Sequence, residues 1–210
     1  MVRPASQFQI VVAAALAACA VVVTPATIPA AAQPAAARAP VQPPAPADLD
    51  ALFAELRAPE AADAPGAPGA WRRAESDILR AWSHSGSAAL DLLRQRGEAA
   101  LDAGDAQGAI GHLTALTDHA PDYAQGFQLR ATAYAMAGEY GPAAADLARA
   151  LTLEPRQFVA LTQLGAMLEE MGSEDRALAA FEASLAIHPH QQEAIDAVDR
   201  LSAARDGTSL

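Results

Sequence analysis

Between residues 158 and 189 the apolar positions fall into two stripes of helical spacing. Leu161, Leu164, Gly165 and Leu168 share one face of a first helix, and Ala177, Leu178, Phe181, Leu185 and Ile187 mark a second. Gly172 lies between them, where the first helix must end in a residue that tolerates the left-handed conformation. Pro189 follows the second stripe and stops it, because the residue before a proline is pushed out of the helical region.

The same arrangement occurs 34 residues earlier, and again 34 before that, with no insertion. Gly104, Gly138 and Gly172 align; so do Ala109, Ala143 and Ala177, and Leu113, Leu147 and Phe181. Pro121, Pro155 and Pro189 close the units, and Gly97, Ala131 and Gly165 form a further column of small residues where helices must cross closely. The pattern predicts an all-α chain with three helical hairpins, over residues 90–123, 124–157 and 158–191. A single hairpin cannot bury its own apolar face, so the three must stack on a shared core.

The flanks also carry helical spacing. Ile195, Val198 and Leu201 mark a capping helix over 192–205, before a tail at 206–210. Upstream, Ile78, Leu79 and Trp82 mark another; counted back by 34, Leu79 falls in the Leu113 column and Trp82 in the Leu116 column. Residues 71–89 therefore read as an orphan second helix, a half-repeat capping the front of the stack. Leu49, Leu52, Phe53 and Leu56 form one stripe of a short amphipathic helix over 48–57, joined to the rest by a proline-bearing segment, 58–70. Its placement stays open: on the flank of the stack, in its groove, or docked on a partner or a membrane surface. Asp48, Asp50 and Glu55 argue against a membrane surface.

These columns resemble the tetratricopeptide repeat over residues 90–189. The resemblance implies a right-handed α-solenoid whose first helices line a concave face that contacts extended or helical peptides. Carried over position by position, that face comprises Asp91, Arg94, Glu98 and Asp102, then Gln125, Gln128, Thr132 and Met136, then Val159, Thr162, Ala166, Glu169 and Glu170. The departures are Leu93 and Ala100 where aromatics are common, and Arg96 and Arg130 where leucine is usual. Members that grip a chaperone's C-terminal carboxylate use a set of lysine, arginine and asparagine. Here Arg94 is the one suitable cation, Glu98 replaces the asparagine and lysine is absent, so neutral or basic partner segments fit better.

Composition narrows the chemistry. All 14 basic residues are arginine and the net charge is −11, which excludes lysine-based catalysis and gives no basic patch for nucleic acid. No two of the five histidines stand at metal-ligand spacing on a helix, and His188-Pro189-His190 reads as a solvated turn. No serine sits in a nucleophile elbow. The reading is therefore non-catalytic, without cofactor or metal.

The first 32 residues resemble a secretory signal: Arg3, an apolar run from Ile10 to Val23, then Ala30-Ala31-Ala32 before Gln33. The run is shorter than the roughly 20 residues that span a bilayer. Cleavage near Ala32 would move the net charge from −11 to −12, since Arg3 is the only charge removed. A second reading stays open, because Leu16-Ala17-Ala18-Cys19 resembles a lipobox that would lipidate Cys19. Residues 33–47, rich in proline and alanine, read as a disordered tether. The functional expectation is a protein-binding adaptor or scaffold in the bacterial periplasm. The alternative is an outer-membrane lipoprotein acting as an envelope or pilus assembly factor, the one case with a membrane contact.

Overall fold

The computed structural model describes residues 46–59 and 69–208, all within the compact unit Val41–Leu210. The expected signal with Cys19, and residues 33–45 of the expected tether, lie outside the described residues; the last two tether residues, Pro46 and Ala47, are instead helical and open the first helix. The described residues form helices joined by turns, with no strand: α1 (Pro46–Leu56), α2 (Ala70–Trp82), α3 (Ala88–Asp102), α4 (Ala106–His119), α5 (Ala124–Met136), α6 (Tyr140–Leu153), α7 (Phe158–Glu170), α8 (Glu174–Ile187) and α9 (Gln192–Thr208).

The turn chemistry explains the repeat. Gly104, Gly138 and Gly172 adopt φ of 74°, 77° and 71°, where an L side chain is strained. Each donates its N–H back into the last turn of the preceding helix, as Gly138 does to the Ala135 carbonyl at 2.9 Å. The next residue reaches one turn further, Glu139 N–H to the Tyr134 carbonyl at 2.8 Å, which satisfies the orphan carbonyls of the helix end. At the other end of each hairpin, Ala120, Glu154 and His188 precede the prolines and are held extended, with φ between −134° and −130°.

Three hairpins follow, α3–α4, α5–α6 and α7–α8, each packing on the next, with α9 against α8. The first helices also touch in series, α3 on α5 and α5 on α7, so they share one face of the stack. The small-residue column makes these contacts close. A Cβ built on Gly97 would stand 2.6 Å from Leu113 Cγ, and one on Gly165 would stand 2.9 Å from the Phe181 ring. Each hairpin has its own apolar cluster, centred on Leu113 and Leu116, on Ala143 and Leu147, and on Leu178 and Phe181.

Two expectations change here. Residues 71–89 do not cap the front of the stack. Leu79, assigned to a core column, is 38 % exposed, and Ile78 is the buried residue. The cluster of α2 is instead Ala74 and Ile78 with Phe53 and Leu56 of α1 and with Phe158, at the start of α7. The front positions show the consequence: Leu92 is 47 % exposed, whereas Ala160 and Ala194, its counterparts in α7 and α9, are fully buried. The second change is Arg130. Its charge, at a usual leucine position, is taken up by a two-pronged pair with Asp146 of α6 at 2.7 and 2.8 Å.

Candidate functional site

The face shared by α3, α5 and α7 carries the residues singled out from sequence, and the structure sorts them into two groups. Most are occupied within the protein. Asp91 accepts hydrogen bonds from the Ser85 amide (2.9 Å) and hydroxyl (2.7 Å). Burial works to raise its pKa, but those bonds, with Arg94 and His84 nearby, outweigh it and hold the carboxyl below the usual carboxylate range. Arg94 is paired with Glu98 one turn along α3, which removes its charge from any incoming anion. Glu169 is held by Arg200 of α9 at 2.8 Å.

The amides of α5 and α7 form a lattice across the face. Gln157 donates to Gln125 and Gln125 to Gln128, each at 2.9 Å. Gln128 donates to Gln163 at 2.9 Å, and Gln163 to the Thr132 hydroxyl at 3.0 Å. Gln128 is buried, as is Thr162, which donates to Gln191 at 2.8 Å. These side chains stitch neighbouring first helices together, with Gln128, Gln157 and Thr162 buried and Gln125, Thr132 and Gln163 half-buried. The buried amide of Gln128 finds its partners within the protein, as buried polar groups must.

The second group lies at a cavity of about 150 Å3 between α5, α6 and α7. Its buried lining is apolar: Ala131, Ala143, Leu147 and Met167. Its partly exposed lining includes Thr132, Gln163 and Ala166, with Tyr140 and Glu170 joined by a 2.7 Å hydrogen bond from the tyrosine hydroxyl. That bond to the carboxylate raises the Tyr140 pKa and keeps the phenol protonated. Met136, next to the lining residue Ala135, is 46 % exposed, and Asp102 also faces solvent. An apolar space of this size accepts a group as large as a benzene ring.

Of the residues singled out from sequence, Thr132, Ala166 and Glu170 line this cavity and Met136 does not; Tyr140, Gln163 and Ala135 line it without having been singled out. The available signal was size: four alanines (131, 135, 143 and 166) meet where larger side chains would have filled the space. Val159 is elsewhere, half-buried under α1 and α2. His188 is also corrected. It is 1 % exposed, not solvated, because Phe158 and Trp71 close over it and Glu75 stands 3.3 Å away. Among the described residues no three His, Cys, Asp or Glu side chains are grouped to hold a metal.

No family model matches the chain. A TPR repeat-containing protein of Rhizobium etli is 30 % identical over 154 residues, covering 73 % of this chain and 72 % of the relative. Among solved structures, the Sgt2 TPR domain of Aspergillus fumigatus aligns with a TM-score of 0.55 at 22 % identity, over 59 % of this chain and 83 % of that one. The first TPR domain of Spaghetti (RPAP3), bound to an HSP90 peptide, aligns with a TM-score of 0.54 at 23 % identity, over 56 % and 93 %. At these identities the structural likeness shows the fold.

Proposed function

Since the chain belongs to the tetratricopeptide repeat family, we propose that it is a non-catalytic protein-binding module whose cavity between α5 and α7 takes one apolar side chain of a partner polypeptide. The observation that carries this reading is the cavity itself, apolar in its buried lining and opening beside Glu170. Arg94, the cation that could hold a partner's carboxylate, is committed to Glu98. An acidic partner would meet a chain of net charge −11 and no available counter-charge at that position. Neutral or basic segments fit, an aliphatic or aromatic residue beside an arginine or lysine. The Spaghetti domain with its HSP90 peptide shows that the fold can hold a peptide, and supports the class of partner without supplying its sequence.

A synthetic peptide array of such segments tests the reading. Ala166→Phe would fill the cavity from its partly exposed wall, at a position that also packs against the cluster of Leu178 and Phe181, so its urea unfolding is measured beside its binding. Excluding one Leu-sized side chain from such a site is expected to weaken binding roughly ten- to hundred-fold, from the ~1.5–3 kcal/mol its burial supplies. Peptides that bind the parent and the Ala166→Phe variant equally would place the site elsewhere.

The reading extends to location. We place the protein outside the cytoplasm of a bacterium, on the signal-like character of residues 1–32, with the lipidated form at Cys19 as the second reading. The mature N-terminus separates them by mass spectrometry. A chain starting at Gln33 is expected; a fatty-acylated chain starting at Cys19, absent in Cys19→Ala, would replace it with the membrane-anchored assembly factor.

A further inference from the structure

The helices α1 and α2 form an arm laid over the turns that join successive repeats. At one end of α2, the Trp82 carbonyl accepts a 2.7 Å hydrogen bond from Tyr123, just before α5, and the Trp82 ring lies 5.3 Å from that of Phe158, the first residue of α7. At the other end, the Trp71 ring stacks on His190, before α9, at 4.7 Å and 15°. Three inter-repeat turns are thus crossed by one helix. The arm's apolar cluster borrows Phe158, Val159 and Ile187 from the repeats, and the clusters inside the three hairpins contain no residue of α1 or α2. Arm and stack have separate cores, so one can let go without the other.

His188 sits at the centre of this seat. Its Nδ1 accepts the His190 N–H at 3.4 Å, so in the neutral ring the proton is assigned to Nε2, which faces Glu75 of α2 at 3.3 Å. A second proton would put an N–H at Nδ1 against another N–H, in a site walled by the Phe158 ring at 4.9 Å and the Trp71 ring at 5.7 Å. We propose that the α1–α2 arm is seated only while His188 is neutral, and that protonation of this imidazole releases the arm from an intact repeat stack.

The facing charges give the sign. Burial, the largest influence, lowers the His188 pKa from its ordinary 6.5; the Glu75 carboxylate of α2, 3.3 Å away, opposes this, and His190 from the turn before α9 adds to the lowering. Around the ring, α7 contributes Phe158 and α2 contributes Trp71 besides Glu75. Release exposes the ring and returns it to an ordinary value. Seating is therefore complete well above pH ~6.5 and weakens as pH falls below it, by up to about tenfold per pH unit until the seated form itself titrates.

Both tryptophans of the chain, Trp71 and Trp82, are on α2, so their emission reports the arm while far-UV circular dichroism reports mainly the repeats. On the full chain taken from pH ~7.5 to ~5, across the ordinary histidine range, we expect a reversible red shift with helicity retained. His188→Gln is expected to remove the transition and His190→Gln to keep it. Glu75→Gln, which removes the opposing influence, is expected to move it to higher pH. Constant emission in the parent, the same transition in His188→Gln, or loss of helicity in step with the red shift would each overturn the proposal. If His188→Gln is already red-shifted at neutral pH, Glu75→Gln decides: a midpoint that stays or falls overturns it.

Discussion

Replacing Asp146 by alanine is expected to destabilise the protein by about 3 kcal/mol, the lower part of the range for breaking a buried ion pair, because the arginine left behind is partly solvated. The guanidinium of Arg130 is 15 % exposed and the Asp146 side chain 9 %. Arg130 Nε and Nη2 meet the two carboxylate oxygens at 2.7 and 2.8 Å, and Nη1 meets the Thr117 hydroxyl at 2.7 Å. Phe127 and Tyr134 rings lie 5.5 and 5.8 Å from the same cation. Without the carboxylate the cation keeps its desolvated setting and loses its main partner. The hydrogen bond that Arg130 donates to Asp146 is also the largest reason the Arg130 pKa is raised. The third repeat shows the apolar solution to the same position: Leu164 and Ala180 stand one period after Arg130 and Asp146. Arg130→Leu combined with Asp146→Ala should then recover most of what Asp146→Ala alone removes, since an apolar replacement of a whole buried pair is often neutral or better. Urea unfolding of the three variants checks this. A single variant within about 1 kcal/mol of the parent, the worth of an exposed pair, would show that the pair contributes as a surface contact does.

Phe158→Ala is expected to have the other large effect, and to place it on the arm. The ring is 1 % exposed, tilted against Trp82 at 5.3 Å and edge-on to His188 at 4.9 Å. Truncating a buried phenylalanine removes about 3–5 kcal/mol through lost burial and the cavity left behind. Phe158 belongs to the cluster of α1 and α2 and to none of the hairpin clusters, so the loss falls on arm seating. The variant should show red-shifted tryptophans already at neutral pH, with the helical signal of the repeats kept. Phe158→Leu refills most of the space and should fall within about 1.5 kcal/mol of the parent. Unchanged emission in Phe158→Ala would mean that the polar and stacking contacts, Arg156 to Asp50 at 2.6 Å, Tyr123 to the Trp82 carbonyl and Trp71 on His190, hold the arm without the Phe158 ring.

The 34-residue spacing by itself determined the hairpins, their glycine turns, their proline stops and the family, because each of these is a local matter: a helical period, a left-handed residue at a helix end, an extended residue before proline. It also placed Thr132, Met136, Ala166 and Glu170 on the first helices that share a face. The seat of α2 was decided elsewhere. By register, Leu79 and Trp82 suited a front cap, and nothing along the chain distinguished that seat from a second one. The second is made of Tyr123, Phe158, His188 and His190, contributed by three turns that lie apart in sequence and meet only in the stack. The same holds for Arg130 and Asp146, and for the glutamines that bridge α5 and α7. A buried charge or amide must find a partner wherever the chain brings one, and the partner's identity depends on which helices cross. The cavity beside Tyr140 is the limiting case, since it is a volume left over between α5, α6 and α7, set by the small side chains of all three together.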